Sequence, residues 1–421
     1  MENRLKRNLK ILWVKPGKLL PLDTGGKLRT YNILRHLSAT HDVTYLSHYG
    51  GTRDHEYEQE IPKHVQGAVI VHTGDADGSG LVRYFDYVLR LAQATPYSVS
   101  RFTSARVRQI VSNWIAQGRY DVVVCDFLAS TLNFPRDLTI PTVLFQHNVE
   151  TLLWQRRSQF EEKWLDRWSA KIEYVKMARF EPQQVKRFHH VLAVSQEDSA
   201  LMAGMIDPTH ISVIPTGVDL ATYPYDPGLR AKTPLVVFTG SMDWAPNIDG
   251  VAYFCRDIWP RVLAQVPAAR FRIVGRNPHP RVRKLASDSI EVTGTVSDII
   301  DCVRQAAVLV VPLRMGGGTR IKIYEAMAMG KAIVSTRVGA EGLDVRHEHD
   351  LLLADEPAQF ANHIVMLLRD ETIRRRYESA AAGTARRHDW SVVAQIFVDA
   401  LRQAIAEVKP QTLSEYLVAK P

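Results

Sequence analysis

The 421-residue sequence predicts an α/β protein of two Rossmann-like domains. Three observations predict it. Residues 9–47 run as strand, glycine loop, helix, strand, the opening of a Rossmann-like unit. The same alternation restarts at Leu235, after a loop from Tyr223 to Pro234 that carries three prolines. Near the last quarter, Val311-Pro-Leu-Arg-Met-Gly-Gly-Gly-Thr-Arg-Ile-Lys-Ile-Tyr-Glu-Ala-Met-Ala-Met-Gly-Lys-Ala-Ile-Val-Ser335 reads as strand, glycine loop, helix, turn, strand.

In the first half, Leu9-Lys-Ile-Leu-Trp-Val14 is a buried strand, and Gly25-Gly26 open a helix from Lys27 to about Leu37. Leu28, Tyr31, Leu34 and Leu37 give that helix one apolar face. Strands follow at Asp42–Ser47, Val69–Val71, Tyr120–Asp126 and Pro141–Gln146. Asp126 ends its strand at the carboxyl edge, where open α/β sheets bind ligands. His147 follows the next strand in the same way. It reads either as a polar surface residue or as a sugar-contacting or acid/base group. Asp75-Ala-Asp77 matches a metal-holding Asp-x-Asp pattern, but it stands among turn residues and reads as a turn.

Thr151 to His190 reads as one long helical stretch. Trp164, Trp168, Ile172 and Val175 share a face, and the stretch holds nine Lys/Arg against five Asp/Glu. That face is either a core stripe or a surface that rests on a membrane. Val191–Ser195 is the next strand, and Ser195 caps the helix that follows. In the second half, Leu235–Thr239 is a strand, Gly240 to Asn247 a loop, and a helix starts at Ile248. Strands at Arg270–Gly275 and in the Ile290–Asp298 segment follow.

The 311–335 stretch carries the chemistry. Gly316, Gly317 and Gly318 let the backbone approach a ligand closely. Thr319 is placed to cap a helix that runs to about Met329 and stops at Gly330. Unpaired N–H groups and the positive end of the helix dipole favour a phosphate there, and Arg320 and Lys322 add full positive charges. Glu325 can accept a pair of vicinal hydroxyls, such as those of a ribose. The pattern points to a nucleoside diphosphate.

Composition sets bounds. Apolar residues at 46% and charged residues at 23% fit a globular chain. Three widely spaced cysteines argue against a disulfide scaffold or a cysteine-based zinc site and suit a reducing compartment. No apolar run reaches about 18 residues, the minimum for a membrane-spanning helix. A net charge of +8 suits anionic partners, and the absence of zinc-finger or RNP-type motifs argues against nucleic acid.

The 311–336 stretch resembles the donor-binding motif of the family-4 glycosyltransferases of GT-B fold. The family's Glu-Ala-Met-Ala-x-Gly appears here as Glu325 to Gly330, and its following strand as Ala332 to Thr336. The family's earlier glutamate is replaced by Gly317, as in a branch with Gly-Gly-Gly-Thr-Arg-x-Lys. Ile211–Asp219 resembles the family's interdomain segment and places a boundary near residue 215. The likeness extends over about residues 9–408.

The resemblance implies an acceptor-side domain at 1–214, a nucleotide-sugar domain at 215–395, and a crossover helix and tail at 396–421 that returns to the first domain. The two Rossmann-like domains would face each other across a cleft. Gly25, Gly26, Gly240, Ser241, Asn247, Gly294, Thr295, Val296 and Gly316 to Thr319 would line the donor site with Glu325. His147, Arg320, Lys322 and Glu325 would serve catalysis, and Asp126 and Arg29 the acceptor. Relatives carry Arg and Lys where this chain has Ser241 and Asn247. Arg320 and Lys322 are expected to supply those missing charges, since an unpaired buried diphosphate is costly.

The activity implied is transfer of a sugar from a nucleotide-diphosphate-sugar, UDP- or GDP-linked, to an acceptor hydroxyl. Retention of configuration, no metal and no cofactor are expected. The setting would be polysaccharide or glycolipid synthesis, with a saccharide or lipid-linked acceptor. The protein would be cytoplasmic, with peripheral contact at the inner membrane face. A nucleotide-sugar epimerase, a phosphorylase and a non-catalytic nucleotide-sugar-binding protein are the alternatives.

Overall fold

A computed structural model describes residues 8–74, 87, 90, 93–161, 163–315 and 320–418. Asp75 and Asp77, and the loop of Gly316, Gly317, Gly318 and Thr319, lie outside the described residues. The chain divides into two compact units. The first comprises Met1–Ile214 and Val393–Pro421, and the second comprises Pro215–Val392.

The first unit holds a seven-stranded sheet with every pairing parallel. Its strands are β1 (Lys10–Pro16), β2 (Asp42–Tyr49), β3 (Ala68–His72), β4 (Val122–Asp126), β5 (Thr142–Phe145), β6 (His190–Ala193) and β7 (Ile211–Val213). Their order is β3-β2-β1-β4-β5-β6-β7. The strand order reverses between β1 and β4, which opens a crevice at the carboxyl ends of those strands. β4, β5 and β6 are buried along their whole length and read as continuous runs such as Val-Val-Val-Cys, as expected of a parallel sheet covered on both faces.

The second unit holds a six-stranded parallel sheet in the order β10-β9-β8-β11-β12-β13. Its strands are β8 (Leu235–Thr239), β9 (Arg270–Val274), β10 (Ile290–Gly294), β11 (Val308–Val311), β12 (Ala332–Ser335) and β13 (Leu352–Leu353). The switch point falls between β8 and β11. One large apolar core, with Phe238, Phe254, Trp259, Phe271 and Phe360 fully or almost fully buried, underlies this sheet.

Several helical stretches differ from the sequence expectation. Helix α1 spans Gly25–Ser38, so it begins at the glycine pair, where Thr24 accepts from the Lys27 N–H. It buries Thr30, Ile33, Leu34 and Leu37, while Leu28 and Tyr31 are only half-buried, so the buried face is rotated from the one predicted. The stretch expected to be helical from Thr151 to His190 holds two helices, α2 (Glu150–Phe160) and α3 (Trp164–Val185). Helix α4 (Ala245–Tyr253) starts three residues before Ile248 and places Asn247 within its first turn.

The helix after β11, α5, spans Ile321–Ala328 with Arg320 at its N-cap position, one residue later than a Thr319 cap would give. Gly330 has φ 64 and ends it in the left-handed conformation. The last helix, α6, runs Trp390–Val418, so the residues from Thr412 to Val418 continue a helix rather than a tail. Phe397 of α6 stacks on Trp13 of β1 at 5.1 Å and meets Phe145 of β5 edge-on at 5.3 Å. The C-terminal helix thus packs on the sheet of the first unit. The loop from Tyr223 to Pro234, expected at the surface, sends Tyr225 onto Gly330, where an added Cβ would lie 2.2 Å from the tyrosine ring.

Candidate active site

In the first unit, polar side chains gather at the carboxyl ends of β1, β4 and β5. Asp126 closes β4 and is fully buried. Its carboxylate accepts from Thr30 Oγ1 at 2.8 Å, Trp13 Nε1 at 3.1 Å and His147 Nε2 at 2.7 Å. The other ring nitrogen of His147, Nδ1, lies 3.2 Å from an Arg29 guanidinium nitrogen. Arginine has no acceptor, so the network fixes the neutral tautomer with Nε2 protonated and Nδ1 accepting. Burial pushes the imidazole down to about 4, against the pull of Asp126 and with help from Arg29 and Lys15.

Here the structure departs from the surface reading of His147, because the residue is buried and both of its ring nitrogens have partners. Asp126 and Arg29, expected to touch the acceptor, are buried as its supports. The His147 ring stacks on Phe127 at 3.9 Å. Phe127 has φ 68, a region that costs a bulky residue about 1–3 kcal/mol and persists where surroundings impose it. Gly26 lies against this ring: a Cβ there would sit 2.7 Å from Phe127 Cζ. Lys15 lies 4.7 Å over the same ring, with burial pushing its ammonium down to about 8.

The loop that carries His147 is fixed from below. Glu181 of α3 accepts from the backbone N–H groups of Glu150 and Thr151 and from Gln146 Nε2, at 2.7 to 2.9 Å. A buried carboxylate thus satisfies the open start of α2. Desolvation, then the Glu181 charge, push the Glu150 carboxyl up to about 7.

In the second unit, the groups gather at the carboxyl ends of β8, β9 and β11. Lys322 of α5 donates to the Thr239 carbonyl at 2.7 Å and lies 3.4 Å from Asn247 Oδ1. Asn247 donates to the Ser241 carbonyl at 2.8 Å. A Cβ on Gly240 would sit 2.6 Å from Asn247 Nδ2 and 3.0 Å from Lys322 Nζ, so a side chain there would displace both polar ends. Gly275 packs on the Gly240 carbonyl with no room for a Cβ, and its N–H donates to the Gly294 carbonyl at 3.2 Å. The loops after β8, β9 and β10, including the expected base contacts Gly294, Thr295 and Val296, therefore lie side by side.

Burial, then the Arg320 charge, push the Lys322 ammonium down to about 7, with Glu325 opposing. Arg320 is buried with its guanidinium 5.4 Å over the Trp244 ring, and burial lowers its pKa against the pull of Glu341. Glu325 accepts from the Tyr223 hydroxyl at 3.0 Å, and burial holds its carboxyl above the usual range. Arg276, which the sequence reading did not single out, donates from Nε to Ser241 Oγ at 3.0 Å. Its signal was present: a cation directly after the glycine that ends the Arg270–Gly275 strand. The two positions lacking the expected Arg and Lys are thus each met by a cation from another element, Ser241 by Arg276 and Asn247 by Lys322.

Two parallel sheets in the 3-2-1-4-5 order, each with buried charge gathered beside its switch point, define a GT-B type α/β protein. Residues 24–222 match the family described as Glycosyltransferase Family 4, and residues 233–370 match Glycosyl transferases group 1. With both halves matched, the chain belongs to the family-4, group 1 glycosyltransferases.

Among related sequences, the "Uncharacterized 44.6 kDa protein in cps region" of Klebsiella pneumoniae is 23% identical over 370 residues, 85% of this chain and 90% of that one. The phosphatidyl-myo-inositol mannosyltransferase of Mycolicibacterium smegmatis is 30% identical over 194 residues, 43% of this chain. The chain spans about half the length of that relative, 48%. Among solved structures, sucrose-phosphate synthase from Thermosynechococcus elongatus superposes with TM-score 0.66 at 16% identity, over 95% of this chain and 100% of that one. Anabaena HepE in complex with UDP superposes with TM-score 0.63 at 17% identity, over 94% and 100%. These likenesses show the fold.

Proposed function

We propose that this chain transfers a glycosyl group from a nucleotide-diphosphate-sugar to an acceptor hydroxyl, with retention and without a metal in the reaction. The observation that carries the reading is the placement of Lys322 against Gly240 and Asn247, with Arg276 on Ser241. This puts two cations at the carboxyl edge of the second sheet where a diphosphate would lie. A buried ammonium poised near neutrality gains most from an arriving dianion, because its charge has little other compensation. Glu325, with one carboxylate oxygen on Tyr223, would accept the ribose hydroxyls. Gly316 to Thr319 and the N-terminus of α5 would add backbone N–H groups, and Gly294 to Val296 would border the base.

Departure of the diphosphate develops negative charge on its terminal oxygens. Preorganised donors at that point stabilise the transition state more than the ground state. Lys322, Arg276 and Arg320 would supply that stabilisation. In the first unit, His147 would present the face and edge of a ring held rigid by Asp126, Arg29 and Phe127 to the sugar or acceptor. Asp126 and Arg29 would position it. With both nitrogens engaged, acid/base work by His147 would require one of its two hydrogen bonds to break.

A UDP complex among the structural neighbours and the mannosyltransferase relatives favour a UDP- or GDP-linked donor. The phosphatidyl-myo-inositol acceptor in the relatives' names favours a lipid-linked acceptor in glycolipid or polysaccharide synthesis. The exposed tryptophans of α3 supply a surface for such work at the inner membrane face. A non-catalytic binding role drew its support from the missing charges at 241 and 247, which Arg276 and Lys322 now weaken. The test is a transfer assay with UDP- and GDP-sugars and a lipid extract as acceptor, with the anomeric product read by NMR. Transfer with retention supports the proposal. Binding of a nucleotide-sugar without turnover across the acceptor panel would replace it with the binding role.

A further inference from the structure

A cluster lies at the opposite, amino-terminal edge of the first unit's sheet, away from the groups at its carboxyl edge. His190 opens β6, His210 closes the 3₁₀ turn Pro208–His210 just before β7, and Glu407 projects from α6. His190 Nδ1 lies 3.3 Å and His210 Nδ1 3.1 Å from the same atom, Glu407 Oε2. All three ligand-type atoms fall within 4.8 Å of one another.

We propose that His190, His210 and Glu407 bind one divalent cation of the zinc class, which fastens the C-terminal helix to the sheet edge of the first unit. Zinc binds imidazole nitrogen and carboxylate oxygen at about 2.0–2.2 Å in a tetrahedral arrangement, which sets neighbouring ligand atoms roughly 3.3 Å apart. The two nitrogen–oxygen separations already match that edge. Two imidazoles and a carboxylate also suit zinc over magnesium or calcium, which prefer oxygen alone.

The surrounding bonds hold each ligand in a binding orientation. His190 Nε2 lies 2.8 Å from Ser212 Oγ, which turns Nδ1 toward Glu407. Gln403 Nε2 donates to Glu407 Oε1 at 3.1 Å and to the Thr209 carbonyl at 3.1 Å, which leaves Oε2 for the histidines. Partners of this kind fix the ring and carboxylate geometry around a metal. The His210 side chain is 40% exposed and that of Glu407 22%, which gives a cation a way in and a water room to complete the shell. Without the cation, protons on the two Nδ1 atoms fill the same positions; on loading, each neutral ring carries its proton on Nε2 instead, where His190 donates it to Ser212 Oγ.

The proposal is tested on tag-free full-length protein, treated with chelator, dialysed, and then titrated with Zn²⁺, with Mg²⁺ as control. Bound metal is counted by mass spectrometry, and melting temperature is read in parallel. One zinc per chain is expected, with a rise in melting temperature that Mg²⁺ does not give. His210→Ala and Glu407→Gln should each weaken zinc binding at least tenfold. Co²⁺ in place of zinc should show d–d absorption without a thiolate charge-transfer band, which separates this site from the cysteines. Should His210→Ala fail to fold, the conservative Glu407→Gln variant still decides. No retained zinc, or zinc retained equally by both variants, would overturn the proposal and leave a hydrogen-bonded histidine pair.

Discussion

Lys322 is the residue on which the donor reading turns. Its ammonium sits near neutrality because burial and Arg320 oppose its charge. A bound diphosphate would raise that pKa. Binding that raises the pKa of a base is strongest below its free value, about 7, and weakens as pH rises through it. Titration calorimetry in buffers of different ionisation enthalpy should therefore show proton uptake on nucleotide binding near pH 7.5, lost in Lys322→Met. Gly26 makes a second prediction at this scale. A methyl group there must displace the Phe127 ring, so Gly26→Ala should lower stability by about 1–3 kcal/mol in urea unfolding, the range for an overpacked site. The chain order shows Lys322, Glu325 and Gly26 as candidates, because each sits in a local motif. It does not show that Lys322 meets Asn247, 75 residues away, or that Asp126, Arg29 and His147 form one network. Those contacts depend on how strands order in a sheet, which no local pattern encodes.

At the scale of elements, strands were the most legible. Their buried apolar runs are local signals. Helix limits were less so, because caps and tertiary contacts set them. Helix α3 shows the limit of periodicity. Trp164, Trp168 and Val175 do share a face, but the core-stripe reading of that face fails: Trp164 is 73% exposed and Trp168 56%, with Leu165 and Val175 also exposed. The core side of α3 carries Glu173, Met177, Phe180 and Glu181 instead. Two of these are carboxylates that satisfy backbone N–H groups, Glu173 at Tyr97 and Ser98 and Glu181 at α2. A pattern of apolar residues alone cannot distinguish a face that meets the core from one that meets a bilayer. Trp164→Ser with Trp168→Ser should abolish sedimentation with anionic vesicles while leaving the melting temperature within a degree or two. Equal sedimentation of the double variant would remove the membrane role from this helix.

For the whole molecule, two parallel sheets and a C-terminal helix that rejoins the first unit were legible from the recurrence of strand, glycine loop and helix and from the family likeness. No helix among the described residues is long and apolar enough to cross a membrane. The return of α6 depends on Phe397 against Trp13 and Phe145. Phe397→Ala should cost about 3–5 kcal/mol, the range for a deleted core aromatic, read as a loss in urea midpoint. The metal cluster was not legible, because its three residues come from positions 190, 210 and 407 and only the docked helix unites them.

The donor role proposed for the second unit requires that it hold a nucleoside diphosphate on Lys322 and Glu325. Calorimetric titration of UDP and GDP into the protein, its Lys322→Ala variant and its Glu325→Ala variant tests it most directly. One binding site for one of the two nucleotides is expected. Lys322→Ala should lose about 10–100-fold in affinity, the span of a charge-assisted hydrogen bond of about 1.5–3 kcal/mol, and Glu325→Ala should show a clear loss. No binding of either nucleotide, or equal binding by all three proteins, would contradict it.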